Sequence, residues 1–179
     1  MAIGGRGAVF LDRDGVVISE KDFIADPTKL EFISGSIEAI KLIPSHFLKI
    51  IISNQSGIGR GYFSTAQVES FNTHLLRELE KNGAFIDEIY YCPHKPEDNC
   101  NCRKPRTGLF EQAKKKFSID FAKSWVVGDK SSDILAGKNI AARTVLVLTG
   151  YGGNEKGGTD SKPDYMAKNL LEAVELIAK

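Results

Sequence analysis

Two carboxylates stand directly behind an apolar run near the start of the chain: Ala8-Val9-Phe10-Leu11 is followed by Asp12-Arg13-Asp14-Gly15. A short run rich in β-branched and aromatic residues reads as a buried parallel strand. Ligands of open α/β sheets bind beyond the carboxyl ends of such strands. Two acids at that place can hold a divalent cation, attack an electrophile or exchange a proton. Asp and Gly also favour plain turns, so the other strand ends must decide.

They supply the complementary groups. The run Ile50-Ile51-Ile52 ends in Ser53-Asn54-Gln55-Ser56-Gly57, then Ile58-Gly59-Arg60-Gly61. Hydroxyl, amides and exposed backbone N–H groups suit the oxygens of a phosphate. Trp125-Val126-Val127 ends in Gly128-Asp129-Lys130-Ser131-Ser132-Asp133, a third carboxylate with a cation beside it. Asp133 also fits the first turn of a helix, where the macrodipole favours an acid. Several carboxylates crowd together only if something neutralises them. Mg²⁺ takes oxygen ligands and is commonly completed by substrate phosphate. Lys104, between Arg103 and Pro105 and just ahead of a helix, is a point charge for the same phosphate.

A second metal is expected. All three cysteines lie in one stretch, as Cys92-Pro93-His94 and Cys100-Asn101-Cys102, with Lys95–Asn99 between the pairs. Residues i and i+2 of an extended chain point the same way. Each pair can therefore grip one side of a tetrahedral ion, and three thiolates with one imidazole suit structural Zn²⁺. The intervening loop has no apolar residue to pack, so metal replaces a core there. A nucleic-acid-binding zinc ribbon is disfavoured, because the surrounding loop is not basic.

The elements that must position these residues alternate in type. Strands are expected at Ala8–Leu11, Lys49–Ser53, Ile86–Tyr91, Trp125–Val127 and Thr144–Leu148. Helices are expected from Ser36 to about Ile43, from the cap Ser64 to Asn82-Gly83, over Gly108–Phe117, over Asp133–Ile140 and over Glu172–Ala178. This order predicts an α/β fold: one domain over residues 1–179, a doubly wound Rossmann-like parallel sheet with helices on both faces. The polar stretch Val16–Leu30 follows the first strand and reads as a short flap over the site. The Gly-rich stretch Thr149–Pro163 reads as a solvated surface loop.

The chain has 179 residues, 42% apolar and 26% charged, with a net charge of +1. That is an ordinary globular composition, and the balance gives no support for a nucleic-acid partner. No stretch reaches the length of a membrane span, and Met1–Gly7 lacks the order of a secretory signal. A cytoplasmic monomer with no membrane or nucleic-acid partner is the expectation.

Taken in order, Asp12-Arg13-Asp14-Gly15, the strand-end Ser53, Lys104 and Gly128-Asp129 with Asp133 resemble the four signatures of haloacid dehalogenase-type phosphatases. The fuller strings Phe10–Val16, Ser53–Gly61 and Cys102-Arg103-Lys104-Pro105 look like the branch containing the D-glycero-D-manno-heptose 1,7-bisphosphate phosphatases and the histidinol-phosphate phosphatases. The likeness spans roughly Val9 to Leu171. It implies that a zinc loop takes the place of a large cap domain and buttresses a substrate-binding loop. It implies Asp12 as nucleophile, Asp14 as acid and base, and Mg²⁺ on Asp12, the carbonyl of Asp14 and Asp129. Ser53 and Lys104 would stabilise the transferring oxygens. Arg103 and Lys130 would meet a second phosphate, while Asn54, Gln55 and Ser56 make polar contacts. Glu20, Lys21, Asp22 and Phe23 fall where the family touches its sugar, although Ile18 stands where an Asn is expected.

The implied activity is removal of the C7 phosphate of a heptose bisphosphate, a step toward ADP- or GDP-heptose. Histidinol phosphate is the alternative substrate. A non-enzymatic phospho-receiver domain is the alternative of another class, and it would need an acid after the third strand, where Cys92-Pro93-His94 stands.

Overall fold

A computed structural model of the chain describes residues 5–155 and 161–179. Residues 1–4 of the Met1–Gly7 stretch and residues 156–160 of the Gly-rich stretch lie outside it. Among the described residues, six strands form one all-parallel sheet: β1 (Ala8–Leu11), β2 (Leu48–Asn54), β3 (Glu88–Cys92), β4 (Trp125–Gly128), β5 (Arg143–Val147) and β6 (Tyr165–Ala167). Their spatial order is β3-β2-β1-β4-β5-β6. This is the doubly wound order, with its switch point between β1 and β4. The polar strings after β1, β2 and β4 therefore meet at one edge.

Five helices cover the sheet: α1 (Ser36–Leu42), α2 (Thr65–Lys81), α3 (Gly108–Phe117), α4 (Ser131–Asn139) and α5 (Leu170–Ile177). Alternation along β1 explains the two layers. Val9 and Leu11 face α1, α2 and α5, packing with Ile40, Phe71, Leu75 and Val174. Ala8 and Phe10 face α3 and α4, packing with Phe110, Ala113 and Ala136. The Phe10 ring meets Phe110 edge-on at 5.0 Å; burying a side chain of this size stabilises the fold by about 2–3 kcal/mol. The long helix α2 starts where its cap predicts. Ser64 Oγ accepts the N–H of Gln67 at 3.2 Å, and Gln67 Oε1 accepts that of Ser64 at 2.8 Å.

Three expectations need correction. The strand β6 was not foreseen: three residues with two exposed side chains give almost no alternation to detect. The beginning of the flap is not polar surface, because Val16, Val17 and Ile18 are fully buried. The Gly-rich stretch after β5 is not merely solvated, since Thr149 to Gly153 pack on the strand-end residues, as shown next.

Candidate active site

Asp12 continues β1 into the mouth of the sheet, its N–H donating to the carbonyl of Val127 at 3.0 Å. Lys104 reaches it from the loop before α3. The ammonium lies 2.9 Å from Asp12 Oδ1 and 2.7 Å from Asp133 Oδ1, and it donates to the Ile52 carbonyl at 2.6 Å. Burial alone would push this lysine down, but the Asp12 and Asp133 carboxylates outweigh it and hold its pKa above the ordinary value. The backbone of Lys104 is itself fixed by Asn54. That side chain accepts the Lys104 N–H at 3.0 Å and donates to the Lys104 carbonyl at 3.3 Å. Asp133 does two jobs: it accepts the N–H of Lys130 at 3.0 Å, closing the first turn of α4, and it pairs with Lys104.

Asp129 follows β4 completely buried, and its Oδ1 has no hydrogen-bond partner. Its Oδ2 accepts the N–H of Tyr151 at 2.8 Å. Carboxylate oxygens of Asp12, Asp129 and Asp133 all lie within 4.8 Å of one another. Burial first, and then repulsion from Asp12 and Asp133, push Asp129 up to about 8. An orphaned carboxylate oxygen among three converging acids fits a hard divalent cation. Two glycines make room for the Asp129 carboxylate itself. A Cβ on Gly150 would fall 2.2 Å from Asp129 Oδ2, and one on Gly15 would fall 2.3 Å from it.

Asp14 points elsewhere. Its two carboxylate oxygens accept Nε and Nη2 of Arg13, each at 3.1 Å, and Oδ2 also accepts Gln55 Nε2 at 2.9 Å. Gln55 donates to Ser53 Oγ at 2.7 Å, and that hydroxyl lies 3.5 Å from Asp14. The arrangement separates the two acids of the motif, one among the metal-like carboxylates and one in a hydrogen-bonded cradle. Arg13 was not singled out from sequence. It is fully buried, with Nη1 on Asn72 at 2.9 Å, Nη2 on the Ile24 carbonyl at 3.2 Å and the guanidinium 4.7 Å over the Phe71 ring. An arginine between two acids was the available signal, since a buried acid of this kind is held by a fork of donors.

The cavity holds about 240 Å³ and is lined by Asp12, Asp14, Glu20, Asp22, Phe23, Asn54, Gln55, Ser56, Arg103, Lys104 and Lys130 among others. One expected contact is missing: Lys21 is not on this wall, because its ammonium is held on the far side by Glu31 at 2.7 Å and by the Lys29 carbonyl at 3.2 Å. Lys130 faces Glu20 Oε2 at 3.0 Å and lies 4.6 Å over the ring of Tyr151. Tyr151 lines the cavity too. A single aromatic among the glycines Gly150, Gly152 and Gly153 was the signal for it.

Beside the mouth, Cys92, His94, Cys100 and Cys102 converge as the spacing predicts. Cys102 Sγ lies 3.1 Å from that of Cys92 and 3.3 Å from His94 Nδ1, and Cys100 Sγ lies 3.5 Å from both other thiols. The edges of a tetrahedron with Zn–S and Zn–N bonds are about 3.5–3.8 Å, close to this spacing. Burial and the neighbouring thiols push Cys92 up. Cys100 is drawn down to about 7, where hydrogen bonds from Cys102 and from the Arg103 backbone outweigh burial. The cluster abuts the cavity directly: Arg103 Nη1 donates to the His94 carbonyl at 3.3 Å. No helix among the described residues is long and apolar enough to cross a membrane.

Comparison with known proteins agrees with this geometry. The HAD-hydrolase-like family model matches residues 101–173. A D-glycero-beta-D-manno-heptose-1,7-bisphosphate 7-phosphatase of Haemophilus ducreyi is 38% identical over 97% of this chain and 99% of its own. A D-glycero-alpha-D-manno-heptose-1,7-bisphosphate 7-phosphatase of Photorhabdus laumondii is 41% identical over 94% of each chain. The crystal structure of the D,D-heptose 1,7-bisphosphate phosphatase from B. bronchiseptica, complexed with magnesium and phosphate, superposes with a TM-score of 0.85 at 31% identity, covering 96% of this chain and 97% of that one. The chain thus belongs to the heptose-1,7-bisphosphate 7-phosphatase family of the HAD-like hydrolases.

Proposed function

We propose that the protein is a phosphoric monoester hydrolase that removes the C7 phosphate of D-glycero-D-manno-heptose 1,7-bisphosphate. The observation that carries this is the near full-length similarity to phosphatases of that name, at 38% identity over 97% of this chain. The site chemistry supports it residue by residue. A carboxylate oxygen of Asp12 attacks phosphorus while the bond from phosphorus to the C7 oxygen breaks, leaving an aspartyl-phosphate and the sugar alkoxide. Asp14 gives its proton to the leaving alkoxide, then takes one from the water that hydrolyses the acyl phosphate. The Arg13 fork and Gln55 hold Asp14 in place for both steps. Lys104, in ion-pair contact with Asp12, offsets charge on the transferring oxygens, with Ser53 nearby.

Mg²⁺ would be held by Asp12, the Asp14 carbonyl and Asp129, and it supplies charge neutralisation and orientation of the phosphoryl group. Zn²⁺ would be held by Cys92, His94, Cys100 and Cys102 as a structural ion, fixing the loop that carries Arg103. Arg103 and Lys130 offer cations for the second phosphate; Asn54, Gln55, Ser56, Glu20, Asp22 and Phe23 line the sugar's share of the cavity. Two cations beyond Lys104 suit a bisphosphate better than an ammonium-bearing substrate such as histidinol phosphate.

The test is phosphate release from a panel: the α and β heptose 1,7-bisphosphates, heptose 7-phosphate and histidinol phosphate, with and without Mg²⁺. The reading predicts the highest kcat/KM on a heptose bisphosphate and no turnover by folded Asp12→Asn. Equal activity on histidinol phosphate, or undiminished turnover by that variant, would overturn it.

A further inference from the structure

The tip of the flap is strained: Lys21 and Ile24 are held on either side of it, by Glu31 and Arg13, while the two residues between them are in the left-handed region. Asp22 and Phe23, two consecutive residues with side chains, stand at φ 42° and 67°. Each left-handed residue costs about 1–2 kcal/mol, so contacts must hold the tip in this shape. On one side Phe23 meets the exposed ring of Tyr62, edge-on at 5.0 Å, with Arg60 at 5.9 Å. On the other side the contacts converge on one residue of the Gly-rich stretch. The hydroxyl of Tyr151 donates to Asp22 Oδ1 at 3.1 Å, its ring lies beneath the Lys130 ammonium at 4.6 Å, and its backbone N–H sits on Asp129 Oδ2 at 2.8 Å. Lys130 in turn pairs with Glu20, which accepts the N–H of Asp22 at 3.1 Å.

We propose that Tyr151 is a positioning residue that latches the tip of the flap to the metal end of the site and thereby sets how tightly the phosphorylated sugar is captured. It touches no reacting atom; it acts through Asp22 and Lys130. Burial, and then the hydrogen bond to Asp22, keep the phenol above its ordinary pKa, so the hydroxyl stays a donor throughout the working range. The backbone contact to Asp129 does not depend on the side chain. Tyr151→Phe therefore separates the latch from the support of the metal ligand: it deletes the hydroxyl and keeps ring and backbone.

The proposal rests on the phosphatase reading for its kinetic arm only. Tyr151→Phe should raise KM roughly three- to tenfold, as loss of one hydrogen bond to a charged group allows, with kcat within about twofold. Asp22→Ala also alters the sugar wall and is read by exchange alone, where the double variant should be no faster than the faster single variant, because both remove the same contact. In the substrate-free protein, amide hydrogen exchange over residues 20–24 should quicken in both single variants. It should stay slow in Asp22→Asn, which keeps the Oδ1 acceptor and tolerates the left-handed backbone. Unchanged exchange in Tyr151→Phe, additive quickening in the double variant, or a fall in kcat at constant KM would each overturn the latch. If the wild-type protein fails to hydrolyse the heptose bisphosphate, that reading falls alone, and the exchange experiment still judges the latch.

Discussion

Asp129→Asn exposes the electrostatic strain held in the three-carboxylate cluster, and the expected effect on stability is a gain. Asp129 is wholly buried, and its pKa is pushed to about 8 by burial and by Asp12 and Asp133. Its folded pKa therefore lies above that of the unfolded chain, and the group is an acid. Without a divalent cation, the native state keeps a proton that the unfolded chain releases. Stability is then fully present below about pH 4 and declines as pH rises toward 8, levelling off beyond it. At pH 7 the full effect would be about 4 kcal/mol; because Asp12 and Asp133 share the repulsion, our expectation is roughly 2–4 kcal/mol. Asparagine does not titrate, and it keeps an oxygen for the Tyr151 N–H. In magnesium-free buffer at pH 8 the variant should melt about 4–16 °C above wild type, at roughly 2–4 °C per kcal/mol for a chain of this size. The gap should shrink at pH 5. Ion-exchange-treated buffer is preferable to a chelator, which would also strip the Cys–His cluster. Adding Mg²⁺ should raise the wild-type Tm and leave the variant unmoved and inactive. A variant that melts at or below wild type at pH 8 would refute the reasoning.

Three further outcomes follow from the same geometry. Lys104→Met leaves Asp12 and Asp133 buried without their shared cation, 2.9 and 2.7 Å away in the native protein; the loss should be about 3–5 kcal/mol, and a Tm within 2 °C of wild type (a shift worth less than about 1 kcal/mol) would contradict it. Gly150→Ala would place a Cβ 2.2 Å from Asp129 Oδ2 at a backbone φ of +61°, so half-saturation by Mg²⁺ should rise at least about tenfold, a shift of about 1.4 kcal/mol, while circular dichroism stays native; unchanged Mg²⁺ dependence would argue against the cradle. Elemental analysis should give about one zinc per chain, and Cys100→Ser should lower that content and raise KM more than it lowers kcat, because Arg103 rests on the His94 carbonyl; a zinc-free protein of full activity would remove the structural-ion reading.

Local patterns with one physical cause were legible in the sequence. The cap Ser64 with Gln67, the apolar periodicity of α3 and the buried run of β1 each specify their element without reference to the rest of the chain. The acids after β1 and β4 were legible because parallel topology dictates where strand ends meet. What escaped depends on partners distant in sequence. Arg13 looks like a solvated cation until Asn72 and the Ile24 carbonyl are placed around it. Lys21 looks like a substrate contact until Glu31 is placed beside it. Tyr151 sits in a stretch whose glycines suggest freedom, whereas Gly150 is small because Asp129 and Gly15 leave no room.

The strand order has a consequence for the timing of synthesis. Asp12 lies between β2, which follows within the next 42 residues, and β4, which does not begin until Trp125. A ribosome-bound chain can therefore pair β1 with β2 and β3 early, while the edge of β1 that later receives Val9↔Trp125 and Leu11↔Val127 stays open. Parallel pairs of this separation close late and slowly. Asp129 and the Tyr151 amide arrive only with that later segment, so Asp12 is made long before the groups that surround it. The three-carboxylate cluster therefore assembles only once β4 has docked on β1.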